Sequence, residues 1–416
     1  MKILYLHQYF NTPEMSGGTR SYEIAKRMVR NGHEVTMISS WKYKSDDFKK
    51  LQQVDGIKMI WIPVFYKNEM TPFRRMIAFI KFSILSSVYA FGVKSDLIYA
   101  TSTPLTIAIP ALLKKTFSNS VLVFEVRDLW PELPISVGVL KNPIIIFFAK
   151  FLEKITYLFS DLIIALSPGM KEGIIKCGIN KKKIAVIPNS CDIDLFSKIK
   201  PSNNELLNEV VEDKTKLFIT YAGAFGNING VDYFVDLAKG LEEINSNVHI
   251  LLIGHGANFA KIETLARNSG LLNKRIYIFP SVPKHSIPYV FHHSSMVASV
   301  FIDLKEMQNN SSNKFFDALA AGKPVFINFG GWMHELVKKN DFGYSAWDKS
   351  LQETCLDVTS LCNDDRVMYK KSKNSKLVAR TFFERDVLVN QILHIINNGN
   401  YNLAYKIAPG KYKKLS

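Results

Sequence analysis

The sequence predicts an α/β chain built from two successive doubly wound, Rossmann-like units. Three observations predict it. Short apolar runs alternate with amphipathic segments, a polar stretch at 188–216 interrupts that alternation, and the alternation then restarts. At 416 residues the chain has room for two or three domains of about 150 residues each.

The elements follow in order. Ile3-Leu4-Tyr5-Leu6 reads as a strand, and a helix over 19–31 is closed by Asn31-Gly32. Further strands are expected at 35–38, 97–99, 121–126, 162–166 and 184–187. Thr71-Pro72 is an N-cap and first-turn pair, and it opens an apolar segment carrying Arg74, Arg75 and Lys81. Asn142-Pro143 opens a second over 144–159, where Lys150 and Lys154 share one face. Both segments are apolar over most of their surface, with a narrow basic strip. Two readings stay open for them: helices lying in the interface plane of an anionic membrane, or core helices with snorkelling lysines. Beyond the polar stretch, strands are expected at 217–221, 248–253, 276–279, 297–301 and 325–328. On this pattern the chain divides into domains 1–190 and 200–384, with a C-terminal helix over 385–416 packing back on the first. Two such domains facing each other leave a cleft as the natural ligand site.

Composition excludes several classes. Apolar residues make up 47% and charged residues 22%, so the chain is not disordered as a whole. Cys177, Cys191, Cys355 and Cys362 show no metal-ligand spacing and read as buried small hydrophobes. The opening run is too short for a signal peptide, and the uncharged runs 97–113 and 285–302 do not read as membrane spans. A cytosolic protein is expected. Lys plus Arg exceed Asp plus Glu by 16, and the excess is uneven. Residues 1–200 hold 28 basic and 16 acidic residues, against 25 and 21 in the remainder. A basic first half attracts anionic partners. Nucleic acid is not favoured, because the basic residues lack interleaved aromatics or a recognition motif.

Four motifs carry chemistry. Met15-Ser16-Gly17-Gly18-Thr19-Arg20 joins the first strand to the first helix, where glycines admit close backbone approach and the helix start offers N–H groups to an anion. It is not G-x-G-x-x-G, so a dehydrogenase is not indicated; a plain tight turn explains the glycines equally well. Glu125, Arg127, Asp128 and Glu132 cluster at the C-terminal end of an apolar strand, where open α/β sheets keep their sites. There a carboxylate can orient an acceptor hydroxyl while a guanidinium faces a phosphate; a structural Arg–Asp pair is the alternative. In the second half, glycines recur in Gly223-Ala224-Phe225-Gly226 and Gly254-His255-Gly256. Finally, Asn309-Asn310-Ser311-Ser312-Asn313-Lys314 leads into a helix carrying Asp317. That start suits an anion, with Lys314 a point charge and Asp317 an acceptor for a diol such as ribose; a capped helix is the plain alternative.

The order of these pieces resembles the GT-B glycosyltransferases of family 4. The resemblance runs over nearly the whole chain, through Gly17-Gly18, Gly32-His33-Glu34-Val35, Ile187-Pro188-Asn189-Ser190-Cys191-Asp192, Gly254-His255-Gly256 and Ala320-Ala321-Gly322-Lys323-Pro324-Val325. Residues 124–132 and 313–325 look most like the subgroup that adds N-acetylated deoxyhexosamines, such as N-acetyl-L-fucosamine, to lipid-linked O-antigen or capsule precursors. The resemblance implies a nucleoside-diphosphate sugar, here a UDP-sugar, held in the second domain. Asp317 falls where the family binds the ribose, and the backbone around Phe279 and Val282 would hold the base. Gly226, Gly254, Gly256 and Asn313 would complete the donor site. Gly17 and Gly18, with Arg20, would approach the diphosphate and sugar, and Arg127-Asp128 takes the place of a His-Asp pair that contacts sugar and acceptor.

Three departures stand out. The family's first motif glutamate falls on Asn309, and the two cations that clamp the diphosphate fall on Ala224 and Asn229. Lys314, helped by Arg127 or Arg20, is expected to take over charge neutralisation of the leaving group. The expected protein is a glycosyltransferase on the inner face of the cytoplasmic membrane, needing no metal or other cofactor. Its partners would be a UDP-sugar, a polyprenyl-diphosphate-linked saccharide and an anionic membrane surface. The alternatives are a GT-B nucleotide-sugar epimerase or hydrolase, and a non-catalytic nucleotide-sugar-binding assembly protein.

Overall fold

A computed structural model describes residues 1–13, 15, 17–41, 50–66 and 70–398. Ser16 and the end of the expected C-terminal helix, beyond 398, lie outside the described residues. The chain forms two compact units: Met1–Pro188 with Asn309–Ser311 and the described residues from Asp386 onward, and Asn189–Gln308 with Ser312–Arg385.

The first unit carries β1 (Lys2–Leu6), α1 (Arg20–Arg30), β2 (Glu34–Ser40), β3 (Leu51–Val54), β4 (Ile57–Ile62), α2 (Pro72–Gly92), β5 (Leu97–Thr101), α3 (Ala108–Thr116), β6 (Val121–Val126), α4 (Glu132–Ser136), α5 (Pro143–Phe159), β7 (Leu162–Ala165), α6 (Pro168–Lys176) and β8 (Ile184–Val186). Its sheet runs β3-β4-β2-β1-β5-β6-β7-β8. All pairs are parallel except β3 with β4. The β3–β4 hairpin is a difference from the sequence reading, which placed no strand at 51–62. Strand order reverses between β1 and β5, and that reversal opens the crevice in which open α/β sheets bind ligands.

In the second unit, α7 (Ile193–Phe196) and α8 (Glu205–Glu212) precede β9 (Leu217–Ala224), α9 (Tyr233–Glu243), β10 (Val248–His255), α10 (Phe259–Asn268), β11 (Ile276–Pro280), α11 (Ile287–His292), β12 (Met296–Ser299), α12 (Asn313–Ala320), β13 (Val325–Ile327), α13 (Trp332–Asn340), β14 (Gly343–Ser345), α14 (Leu351–Cys362) and α15 (Asp365–Val378). The parallel sheet order is β11-β10-β9-β12-β13-β14, with the reversal between β9 and β12. The polar stretch at 188–216 is not a bare linker. Leu207 and Val211 of α8 are buried, so this segment folds as part of the second unit.

The final helix α16 (Arg385–Asn398) returns to the first unit, where Leu388, Val389, Ile392 and Ile395 join the core of Ile3, Tyr5, Met37 and Tyr99. The two marked helix starts have the geometry their residues specify. Thr71 Oγ1 accepts from the Arg74 N–H, and Asn142 Oδ1 accepts from Ile144 and Ile145.

The helices opened by those caps are neither wholly buried nor wholly free. Ala78, Phe82 and Ala90 of α2 join the core, while Phe73, Ile77, Ile80, Ile84, Val88 and Phe91 face outward. That spacing of three and four is one helix face, and Phe73, Ile84 and Val88 are each at least 60% exposed. On α5, Glu153, Thr156 and Tyr157 are buried, whereas Ile144, Phe147, Phe148, Phe151 and Phe159 are exposed. By length and composition α2 could cross a membrane, but its inner face is a core element of the sheet.

Candidate active site

In the first unit, candidate residues gather at the reversal between β1 and β5. Gly17 has φ +125°, and a Cβ there would lie 2.6 Å from Asn11 Nδ2, so only glycine fits this loop. Arg20 follows, and the structure corrects the expectation placed on it. Its guanidinium is buried, paired to Glu125 at 2.8 Å, and it donates to the carbonyl oxygens of Ile187 at 3.1 Å and Pro188 at 2.6 Å. Glu125 also accepts from Tyr99 Oη at 3.0 Å and Thr101 Oγ1 at 2.6 Å. This charge is committed to holding β5, β6 and the end of the unit together, and is not left for a diphosphate.

Arg127 and Asp128 contrast with that network. The Arg127 main-chain N–H donates to Ser102 Oγ at 3.0 Å, and its guanidinium lies 3.5 Å from His7 Nε2. The side chain thus stands at the reversal, between the ends of β1 and β5. Among the described residues neither Arg127 nor Asp128 forms an ion pair within 4 Å. Both are half-buried. Burial pushes the Asp128 carboxyl up to about 6, and the Arg127 charge offsets part of that rise. His7 and Ser102 were not among the expected site residues.

Asn309 also differs from expectation. Sequence order places it in the donor half, but it groups with the first unit. Its carbonyl oxygen accepts from Ser167 Oγ at 2.6 Å, and its amide packs where a Cβ on Gly169 would stand.

In the second unit the focus is Lys314. It is the second residue of α12, and its ammonium lies 5.3 Å from the Tyr221 ring and 5.7 Å from the Phe301 ring. Tyr221 is on β9 and Phe301 follows β12, so the side chain lies at the reversal of the second sheet. Gly223 makes the space: a Cβ there would stand 2.9 Å from Lys314 Cδ. Among the described residues no carboxylate lies within 4 Å of this ammonium. Burial pushes it down to about 8; Asp317 pulls it back up, and Lys284 pushes it down further.

Asp317 lies one turn further along α12, half-buried, and is ion-paired to Lys284 through Oδ2. Lys284 follows β11 and was missed, because a lone lysine in a loop carries no pattern. Phe279 ends buried on β11, and Val282 lies half-buried in the loop after it. Asn313 is exposed at the first position of α12, where no side chain caps the helix.

The glycines divide by role. Gly254 lies inside the ladder between Gly223 and Pro280, and a Cβ there would fall 1.9 Å from the Gly223 carbonyl oxygen. It is required for close packing of β9 and β10. Gly256 meets the backbone of Phe225 in the same way. Gly226 donates its N–H to Asn229 Oδ1 at 3.2 Å and accepts from the Asn229 N–H at 3.0 Å, closing a turn on itself. Its amide is therefore engaged within the turn, which buried Asn229 closes.

Comparison with known proteins gives a consistent picture. Residues 17–195 match the profile of Glycosyltransferase Family 4, and residues 202–378 match that of Glycosyl transferases group 1. A curated relative, an uncharacterized glycosyltransferase of Methanocaldococcus jannaschii, is 23% identical over 241 residues, 57% of this chain. The chain spans 58% of that relative's length. Among solved structures, Anabaena HepE in complex with UDP and glucose superposes with a TM-score of 0.68 at 18% identity, over 95% of this chain and 99% of HepE. WaaG, a glycosyltransferase involved in lipopolysaccharide biosynthesis, gives 0.66 at 14% identity, over 96% of this chain and 100% of its own. These likenesses show the fold.

Proposed function

The chain is a GT-B glycosyltransferase of the family 4 type, and from that premise we propose that it transfers an N-acetylated deoxyhexosamine from a UDP-sugar to a polyprenyl-diphosphate-linked saccharide, in O-antigen or capsule assembly. The observation that carries the donor half is Lys314, a half-buried cation with no carboxylate within 4 Å among the described residues, at the reversal of the second sheet. The UDP seen in HepE and the lipopolysaccharide role of WaaG lend support by fold likeness.

Breaking the sugar–phosphate bond delivers an electron pair to the diphosphate. Lys314 and the uncapped start of α12 stabilise that charge electrostatically, with no metal. Asp317 accepts from the ribose, and backbone near Phe279 and Val282 holds the base. Gly17 and Gly18 leave the loop between β1 and α1 without side chains, so its backbone can come close to a ligand. Asp128, a carboxylate above pH 6, orients the acceptor hydroxyl while Arg127 faces an acceptor phosphate.

The outward apolar faces of α2 and α5 support a peripheral seat on the cytoplasmic membrane. Exposed Arg74, Lys81, Lys150 and Lys154 on the same helices suit anionic lipid.

The test is a screen of UDP- and dTDP-sugars with mass detection of product on a synthetic polyprenyl-diphosphate sugar, with and without EDTA. Product on the lipid acceptor, unaffected by EDTA, is expected. Products from donor alone would select an epimerase or hydrolase, and donor binding without any turnover would select an assembly protein.

A further inference from the structure

We propose that Lys284 is a positioning residue for the donor nucleoside: it holds one oxygen of the Asp317 carboxylate so that the other is aimed at the ribose diol. This rests on the reading of Asp317 as the ribose acceptor. A carboxylate on the first turns of a helix rotates about its side-chain bonds, and both its oxygens compete for any donor. The Lys284 ammonium removes that freedom by pairing with Oδ2, leaving Oδ1 with no hydrogen-bond partner among the described residues. Lys284 is itself fixed, because its ammonium lies 5.3 Å from the centre of the Phe196 ring on α7.

The geometry separates this lysine from Lys314. Lys284 is bound to the carboxylate; Lys314, three residues before Asp317, has no such pair. Two lysines around one carboxylate leave a single net positive charge, and the unpaired lysine carries it. Lys284 thus serves the nucleoside through Asp317, while Lys314 serves the diphosphate. Removing Lys284 leaves the Asp317 carboxylate free to rotate, so its second oxygen is no longer held toward the diol and ribose recognition weakens.

The experiment measures binding of UDP and of 2′,3′-dideoxy-UDP by calorimetry to wild-type protein, Lys284→Ala and Lys284→Arg, with thermal melting of each. The expected result is UDP affinity about tenfold weaker in Lys284→Ala, restored in Lys284→Arg, and dideoxy-UDP affinity the same in all three. In turnover with the screened donor, KM rises and kcat stays within about twofold. Equal losses for both nucleotides would overturn the proposal, because Lys284 would then act on the phosphates or on folding. So would unchanged UDP affinity in Lys284→Ala. Should that variant fail to fold, Lys284→Met supplies the same comparison. Wild-type protein that ignores UDP would instead sink the donor reading beneath the proposal, a different and recognisable result.

Discussion

Arg20 and Glu125, 105 positions apart, form a buried ion pair whose remaining hydrogen-bonding capacity is met by Tyr99, Thr101 and the carbonyl oxygens of Ile187 and Pro188. A charge so fully engaged serves folding. Arg20→Ala leaves Glu125 buried without its counter-ion, and a loss of about 3–5 kcal/mol in unfolding free energy is expected. Urea denaturation measures it. A variant of wild-type stability with slow donor turnover would return Arg20 to the reaction.

Lys314→Ala removes the cation at the β9–β12 reversal. Donor turnover is expected to fall by about a hundredfold, as for loss of one fixed electrostatic stabiliser. Near-normal steady-state rates would remove Lys314 from the mechanism.

The same lysine sets an alkaline limit. Held down to about 8 by burial, it is charged below that pH and neutral above it. UDP affinity should therefore fall as pH rises through 8, and binding at pH 8–9 should take up protons, since an anion favours the charged form. Calorimetry in buffers of different ionisation enthalpy counts them. No proton uptake would mean that the titrating lysine does not meet the nucleotide.

Glu153, on the inner face of α5, gives a stability test independent of substrate. Burial, followed by the neighbouring Glu132, pushes its carboxyl up to about 8. The unfolded chain releases this proton near pH 4.5, so its contribution is complete below that pH and is lost as pH rises to about 8. Glu153→Gln should match the wild type at pH 4 and exceed it by about 1–3 kcal/mol at pH 8, measured by denaturant titration. Parallel pH profiles for the two proteins would contradict the shift.

Ile84→Asp on α2 and Phe147→Asp on α5 place charge on outward apolar faces without entering the core. Flotation with vesicles containing anionic lipid at low salt should show binding reduced roughly tenfold or more, while UDP affinity stays unchanged. Wild-type protein that does not float would defeat the membrane seat.

Much of this molecule was legible from local chemistry. The runs at 3–6, 121–126 and 248–253 are apolar but for Glu125 and His249, because parallel strands covered on both faces need mostly apolar side chains, so they announce themselves without partners. Thr71 and Asn142 announce helix starts because a cap bonds N–H groups two or three residues away. The antiparallel β3 escaped notice because its Leu51-Gln52-Gln53-Val54 is largely exposed at a sheet edge and carries little apolar signal.

The sequence alone determined the two-unit α/β plan, the family-like order of motifs, and the presence of charged groups after β6 and at the head of α12. Which of those charges remain available was decided only by the tertiary structure. Arg20 and Lys314 look alike as basic residues near a helix start, yet one meets a carboxylate 105 residues away and the other meets two aromatic rings. Lys284 gained its place through Asp317, 33 residues on. Electrostatic roles depend on distance in space and on burial, and neither is encoded in local spacing.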